Sequence, residues 1–132
     1  MTQNEKDLLL KDLCARLPYN IKVYDNNGNF NTSYVNLLHI NGKVSEAFVG
    51  NGMQCRTAPI DEIRPYLFPL SSMTEEQKRE FDISMDMGYA TAYNAEINCA
   101  NRMIDFFNKY HLDYRGLIPM GLANDATELN IY

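Results

Sequence analysis

The polar residues best placed to do chemistry are Asp113, Tyr114 and Arg115, which set a carboxylate, a phenol and a guanidinium beside Gly116. Arg115 could fork onto a phosphate or carboxylate ligand. Turn chemistry asks for most of the same types, with Asp113 as a cap, Tyr114 as packing, Arg115 paired to a nearby carboxylate and Gly116 allowing close approach. The sequence favours that structural reading. The two histidines come next. A two-residue turn at Asn41-Gly42 would pair Ile40 with Lys43, His39 with Val44, Leu37 with Glu46 and Val35 with Phe48. His39 and Glu46 would then lie diagonally on one face, the geometry of a base and its orienting carboxylate. No nucleophile accompanies them, so a cross-strand contact accounts for the pair. His111 falls at the end of a long helical pattern, where the helix dipole favours a cation.

Metal and nucleophile chemistry are poorly provided for. Cys14, Cys55 and Cys99 are widely spaced without a C-x-x-C pair, which fits buried reduced thiols and neither a disulfide framework nor a zinc site. No H-x-x-x-H or H-E-x-x-H spacing occurs, so no metal and no cofactor is expected. The acidic run Glu75, Glu76, Glu80, Asp82 and Asp86 lacks the alternation and central glycine of a calcium loop and reads as a solvated helix face. Phosphate-loop, dinucleotide and nucleophile-elbow motifs are absent. No catalytic residue is assigned, and the balance of the sequence is against an enzyme.

The totals narrow the class further. A chain of 132 residues suits one domain with a real core. Hydrophobic content of 45% and charged content of 22% are ordinary for a globular protein. The net charge of −5 is unevenly placed: residues 1–66 hold seven basic and seven acidic side chains, residues 67–132 five and ten. An acidic second half argues against direct nucleic-acid binding, which needs clustered Lys and Arg. It is compatible with a basic partner, with imitation of a nucleic acid's charge, or simply with solubility. No leader pattern and no run of about eighteen apolar residues occurs, so the expected location is the cytoplasm, away from any membrane.

The elements that would position these groups follow from periodicity. Thr2 and Glu5 form a capping box. The helix they open carries Leu9, Leu10, Leu13, Cys14 and Leu17 on one stripe, with Lys6, Asp7, Lys11 and Asp12 outside, and ends at Leu17-Pro18. From Ile21 the period changes to two. Asn26-Asn27-Gly28-Asn29, Asn41-Gly42 and Gly50-Asn51-Gly52 are turn signals separating short strands, the last from Met53 to Arg56. Asp61-Glu62-Ile63 is a candidate helical turn. Residues 64–70 then form an apolar strip stiffened by Pro65 and Pro69, which is expected to be extended and to clamp sheet against helices. Were Tyr66 and Phe68 exposed there, they would be natural interface anchors. Overlapping capping boxes, Ser72 with Glu75 and Thr74 with Gln77, start a helix carrying Phe81 and Met85 inward and fraying or stopping near Gly88. The longest helix spans roughly 91–110. Its stripe Tyr93, Ile97, Ala100, Ile104 and Phe107, with Cys99, Met103, Phe106 and Tyr110 beside it, is expected to be the backbone of the core. Asp113 then caps a short turn that Gly121 closes.

Three segments together resemble a known family: Asn4 to Tyr19, the proline strip with Ser71-Ser-Met-Thr-Glu-Glu-Gln77, and Asp113-Tyr-Arg-Gly-Leu-Ile118 with Gly121-Leu-Ala123. They are similar to small uncharacterised proteins of gut-commensal bacteria and their phages or other mobile elements. The blocks cover about a third of the chain, and the resemblance carries no catalytic residue or ligand with it.

The expected architecture is a single α+β domain: an N-terminal helix and small antiparallel sheet of three to five strands over residues 1–63, a crossover over 64–73, and a helical half over 74–132. The expected function is a non-enzymatic, cytoplasmic protein-binding or regulatory module of phage or mobile-element character. Tyr66, Phe68, Tyr114 and Arg115 are its candidate binding residues. The alternatives are a small-ligand protein or weakly signalled enzyme centred on Arg115, and an acidic mimic of nucleic acid.

Overall fold

Helix α1 (Gln3–Arg16) opens on its capping box, in which the Glu5 amide donates to Thr2 Oγ1 at 3.2 Å and the Thr2 amide donates to Glu5 Oε2 at 2.6 Å. The computed structural model describes residues 1–25, 33–40, 43–50, 55–90 and 94–132, with side chains described for 1–24, 57–88 and 94–132. Leu17–Tyr19 make one 3-10 turn, and the chain leaves through Asn20 at φ 56°, a left-handed conformation that asparagine tolerates. Leu9 and Leu13 are fully buried in a core with Ile21, Val23, Ala58, Ile60, Ile63, Leu67, Leu117, Leu122 and Ala123. Each such leucine contributes roughly 1.5–3 kcal/mol of burial. Two expectations fail on this helix. Cys14 is exposed, whereas Asp12 is completely buried, because the fully buried stripe runs 9, 12, 13, 16, with Leu10 and Leu17 of the expected stripe packed at its edge.

Strands β1 (Lys22–Asp25), β2 (Ser33–Ile40), β3 (Lys43–Gly50), β4 (Cys55–Pro59) and β5 (Ile63–Leu67) form an antiparallel ladder in the order β4-β3-β2-β1-β5. That is the α+β arrangement expected, with one addition. A two-residue strand, β6 (Asn124–Asp125), pairs in parallel with β5 at Tyr66 and Leu67. Ile40 faces Lys43 and His39 faces Val44 as predicted, but the register then shifts between Leu38 and His39, so that Glu46 faces Leu38 and Phe48 faces Asn36. The extra residue of β3 is a bulge, which moves everything beyond it by one position and undoes the predicted diagonal of His39 and Glu46. The turn residues 26–29, 41–42 and 51–52, and Met53 and Gln54, lie outside the described residues.

The proline strip is the fifth strand. Val23 faces Pro65 and Tyr24 faces Arg64, and Pro65, Tyr66 and Leu67 are buried. Beyond Leu67 the strip is held by the later chain: the Phe68 amide donates to the His111 carbonyl at 2.9 Å, the Asp113 amide to the Phe68 carbonyl at 2.8 Å, and the Ala126 amide to the Leu67 carbonyl at 2.8 Å. Arg64 adds a stitch by donating to the carbonyls of Gly121, Asp61 and Ile63 at 2.9–3.0 Å.

Helix α2 (Glu75–Ala90) starts on the second of the two predicted boxes, with the Gln77 amide donating to Thr74 Oγ1 at 3.1 Å and the Thr74 amide to Gln77 Oε1 at 2.9 Å. Ser72 instead donates to the Pro69 carbonyl. The helix ends at Ala90, two residues beyond Gly88 and near the stop expected. A Cβ at Gly88 would lie 2.7 Å from Cys99 Sγ and 3.2 Å from Arg102 Cδ, so this glycine lets α2 and α3 (Ala95–Lys109) pack closely there. The two helices form a hairpin fastened at its base by Lys109 to Glu80 at 2.7 Å and by edge and stacked contacts of Phe81 with Phe106 and Phe107. No described helix is long and apolar enough to cross a membrane.

Candidate functional site

The predicted polar cluster is real, but its charges face inward. Arg16 lies one helical turn after Asp12, and its Nε and Nη2 donate to the two Asp12 oxygens at 2.7 and 3.1 Å in a side-on fork. Nη2 also donates to the Leu112 carbonyl at 2.8 Å. Arg115 stands 3.3 Å from Asp12 on the other side, and both guanidiniums lie over the Tyr114 ring, 5.2 Å (Arg16) and 4.8 Å (Arg115) from its centroid. Tyr114 in turn stacks on Phe107 at 5.5 Å. Asp113 accepts from the Leu117 and Ile118 amides at 2.8 Å each, and Gly116 takes φ 72°. These are the roles that turn chemistry assigns, so Tyr114 and Arg115 join α1 to the segment after α3 rather than line an open cleft. Sequence reasoning missed Asp12 and Arg16. Their signal was the i, i+4 spacing of opposite charges on the Leu9 and Leu13 stripe.

His111 belongs to the same buried region. It sits at φ 55°, 8% exposed, with its ring stacked on Tyr132 at 3.8 Å. Burial, and then the charges of Arg16 and Lys22, push its pKa down to about 4. It is therefore a neutral imidazole, not the helix-end cation expected, because desolvation outweighs the dipole. The Tyr132 hydroxyl donates to the Tyr66 carbonyl at 2.8 Å and accepts from the Lys22 amide at 3.0 Å, and burial raises its pKa. Cys14 offers no activated thiolate, since partial burial pushes its thiol up. Among the described residues no group of three His, Cys, Asp or Glu side chains is placed to hold a metal ion.

Tyr66 and Phe68 are not surface anchors. Tyr66 is 6% exposed and its phenol is pushed up by burial, while Phe68 is half-buried against Tyr132. Phe68 does line a cleft of about 240 Å³ with Ser72, Thr74, Gln77, Tyr110, Leu112 and Thr127. The hydroxyls of that cleft already serve the protein: Ser72 bonds Pro69, Thr74 caps α2, Tyr110 bonds Glu80 and Thr127 bonds Asp125. A ligand would find an apolar wall but little to orient it.

The largest departure from expectation is on the hairpin. Much of the stripe read as the core of the domain is outside: Ile97 is 63% exposed, Ile104 41% and Met103 37%, and Ala100 is exposed between them, whereas Cys99 and Phe106 are buried as expected and Tyr93 lies outside the described residues. The same side of α3 is buried in its last turn, where Asn108 is 3% exposed and Phe107 meets Tyr114. Helix α3 thus carries one apolar face that begins against the domain and continues past it. On α2, Ile83 is 60% exposed. A periodic apolar pattern states that a face is covered, not by what.

No protein-family model, curated protein or solved structure matches this chain.

Proposed function

We propose that the chain is a non-enzymatic, cytoplasmic protein-binding or regulatory module of phage or mobile-element character, and that it engages its partner through the outer half of the α2–α3 hairpin. The observation that carries the reading is the exposed stripe Ile97, Ala100 and Ile104. Spacings of three and four make it one continuous face, and branched apolar side chains repeated along an exposed helix face are the anchors of helix-in-groove recognition. Large apolar side chains scattered singly are ordinary on a surface; a stripe that runs on into the half-buried Phe107 of the same helix marks an interaction site. The inward-facing charges of Asp12, Arg16 and Arg115 support a binding role over catalysis, since they are committed to one another.

Affinity capture from a lysate of the native bacterial host tests this. The intact protein is expected to retain a specific partner at physiological salt that the I97S/I104S variant does not retain. Retention of the same proteins by both, or of none by either, would count against it.

A further inference from the structure

We propose that the Ile97–Ala100–Ile104 stripe docks a positively charged amphipathic helix of a partner protein; the proposal rests on reading that stripe as the binding face. The argument is the charge around it. Glu96 flanks the stripe on one side and Asp105 on the other, and both are exposed. Asp105 lies beside the Tyr19 hydroxyl, whose pKa is raised by burial and then by this carboxylate. Neither basic residue of α3 offsets them. Arg102 lies half-buried on the α2 side, its Cδ against Gly88, and Lys109 is bonded to Glu80. Residues 75–109 hold seven acidic and four basic side chains, and Lys78 is bonded to Glu75.

Shape points the same way as charge. The small Ala100 between two branched isoleucines leaves a notch one side chain wide, the hole into which a knob from a second helix fits. Lysines or arginines at the edges of that helix would meet Glu96 and Asp105. A second copy of this chain would bring the same two carboxylates against themselves, and an anionic bilayer or a nucleic acid would be repelled likewise.

The test uses three synthetic amphipathic helices with one identical Leu/Ala face and with Lys, Gln or Glu along both flanks, titrated against the whole protein by fluorescence anisotropy. The Lys peptide is expected to bind roughly tenfold more tightly than the Glu peptide, with the Gln peptide between them. That preference should shrink to within about threefold in E96Q/D105N and weaken with added salt. I97S/I104S should lose all three peptides. Equal or inverted affinities, with binding still dependent on Ile97 and Ile104, would overturn the basic partner while leaving the face intact. Binding indifferent to Ile97 and Ile104, or no binding, would overturn both. Dimerisation of the free protein that I97S/I104S abolishes would assign the face to a second copy and refute the proposal.

Discussion

Truncating Asp12, whose side chain is completely buried, should be among the most damaging single substitutions in this chain. Arg16 is 0% exposed, and two of its three hydrogen bonds go to Asp12; the third goes to the Leu112 carbonyl, and Nη1 has no partner among the described residues. Asp12→Ala would leave a buried guanidinium with one carbonyl acceptor and Arg115 beside it as a second cation. Breaking a buried pair in this way costs about 3–5 kcal/mol, a fifth or more of the roughly 5–15 kcal/mol that holds a domain together. Arg16→Met should cost less, about 2–3 kcal/mol, because Asp12 keeps Arg115 at 3.3 Å. The double variant D12L/R16M replaces the pair by apolar side chains of similar volume and should return to within about 1–2 kcal/mol of the parent. Urea unfolding followed by circular dichroism, with m-values compared, closes the cycle when Asp12→Leu is measured beside Arg16→Met, D12L/R16M and the parent. A cost below about 1 kcal/mol for Asp12→Ala, or additive effects in the double variant, would show that the pair is not the buried, coupled unit described.

Three further outcomes follow from the same packing. His111, lowered from 6.5 to about 4, leaves the folded protein neutral where the unfolded chain binds a proton, so stability should fall by roughly 2–3 kcal/mol as pH drops through that window, with no contribution above it. His111→Asn keeps a residue suited to φ 55° and should flatten that part of the pH profile; an unchanged slope would place the proton elsewhere. Gly88→Ala gains helix propensity yet meets Cys99 Sγ, for a net loss of about 1–2 kcal/mol in thermal or urea unfolding, and the loss should vanish in a Cys99→Ala background; a loss that persists there would point away from the helix contact. The I97S/I104S variant should unfold within about 1 kcal/mol of the parent, since serine and isoleucine have similar helix propensity and the sites are exposed, whereas a loss of about 4 kcal/mol or more would make the stripe core after all.

What could be read in the sequence was local. The capping pairs Thr2 with Glu5 and Thr74 with Gln77 form because they satisfy amides that every helix start leaves open, whatever surrounds them. The hairpin register near Ile40 and Lys43 matched the two-residue spacing, but the bulge after His39 carries no sequence signal of its own. Pro65 and its neighbours are legible as extended and apolar; that they form a strand between β1 and β6 depends on residues some forty positions earlier and some sixty later. The site was harder. Tyr114 and Arg115 were singled out, yet the residue that decides their role, Asp12, lies on α1 and was placed on the solvent side. Ile97 and Ile104 are visible in the sequence as an apolar face, but not that this domain leaves the face exposed. Periodicity fixes a face, and only tertiary structure says what lies against it.

Replacing Ile97 with the photo-reactive residue p-benzoylphenylalanine and irradiating the protein in native lysate tests the binding face most directly. The account predicts a crosslink from Ile97→p-benzoylphenylalanine to a different protein, lost when Ile104→Ser is added. Crosslinks confined to this chain's own residues would contradict it.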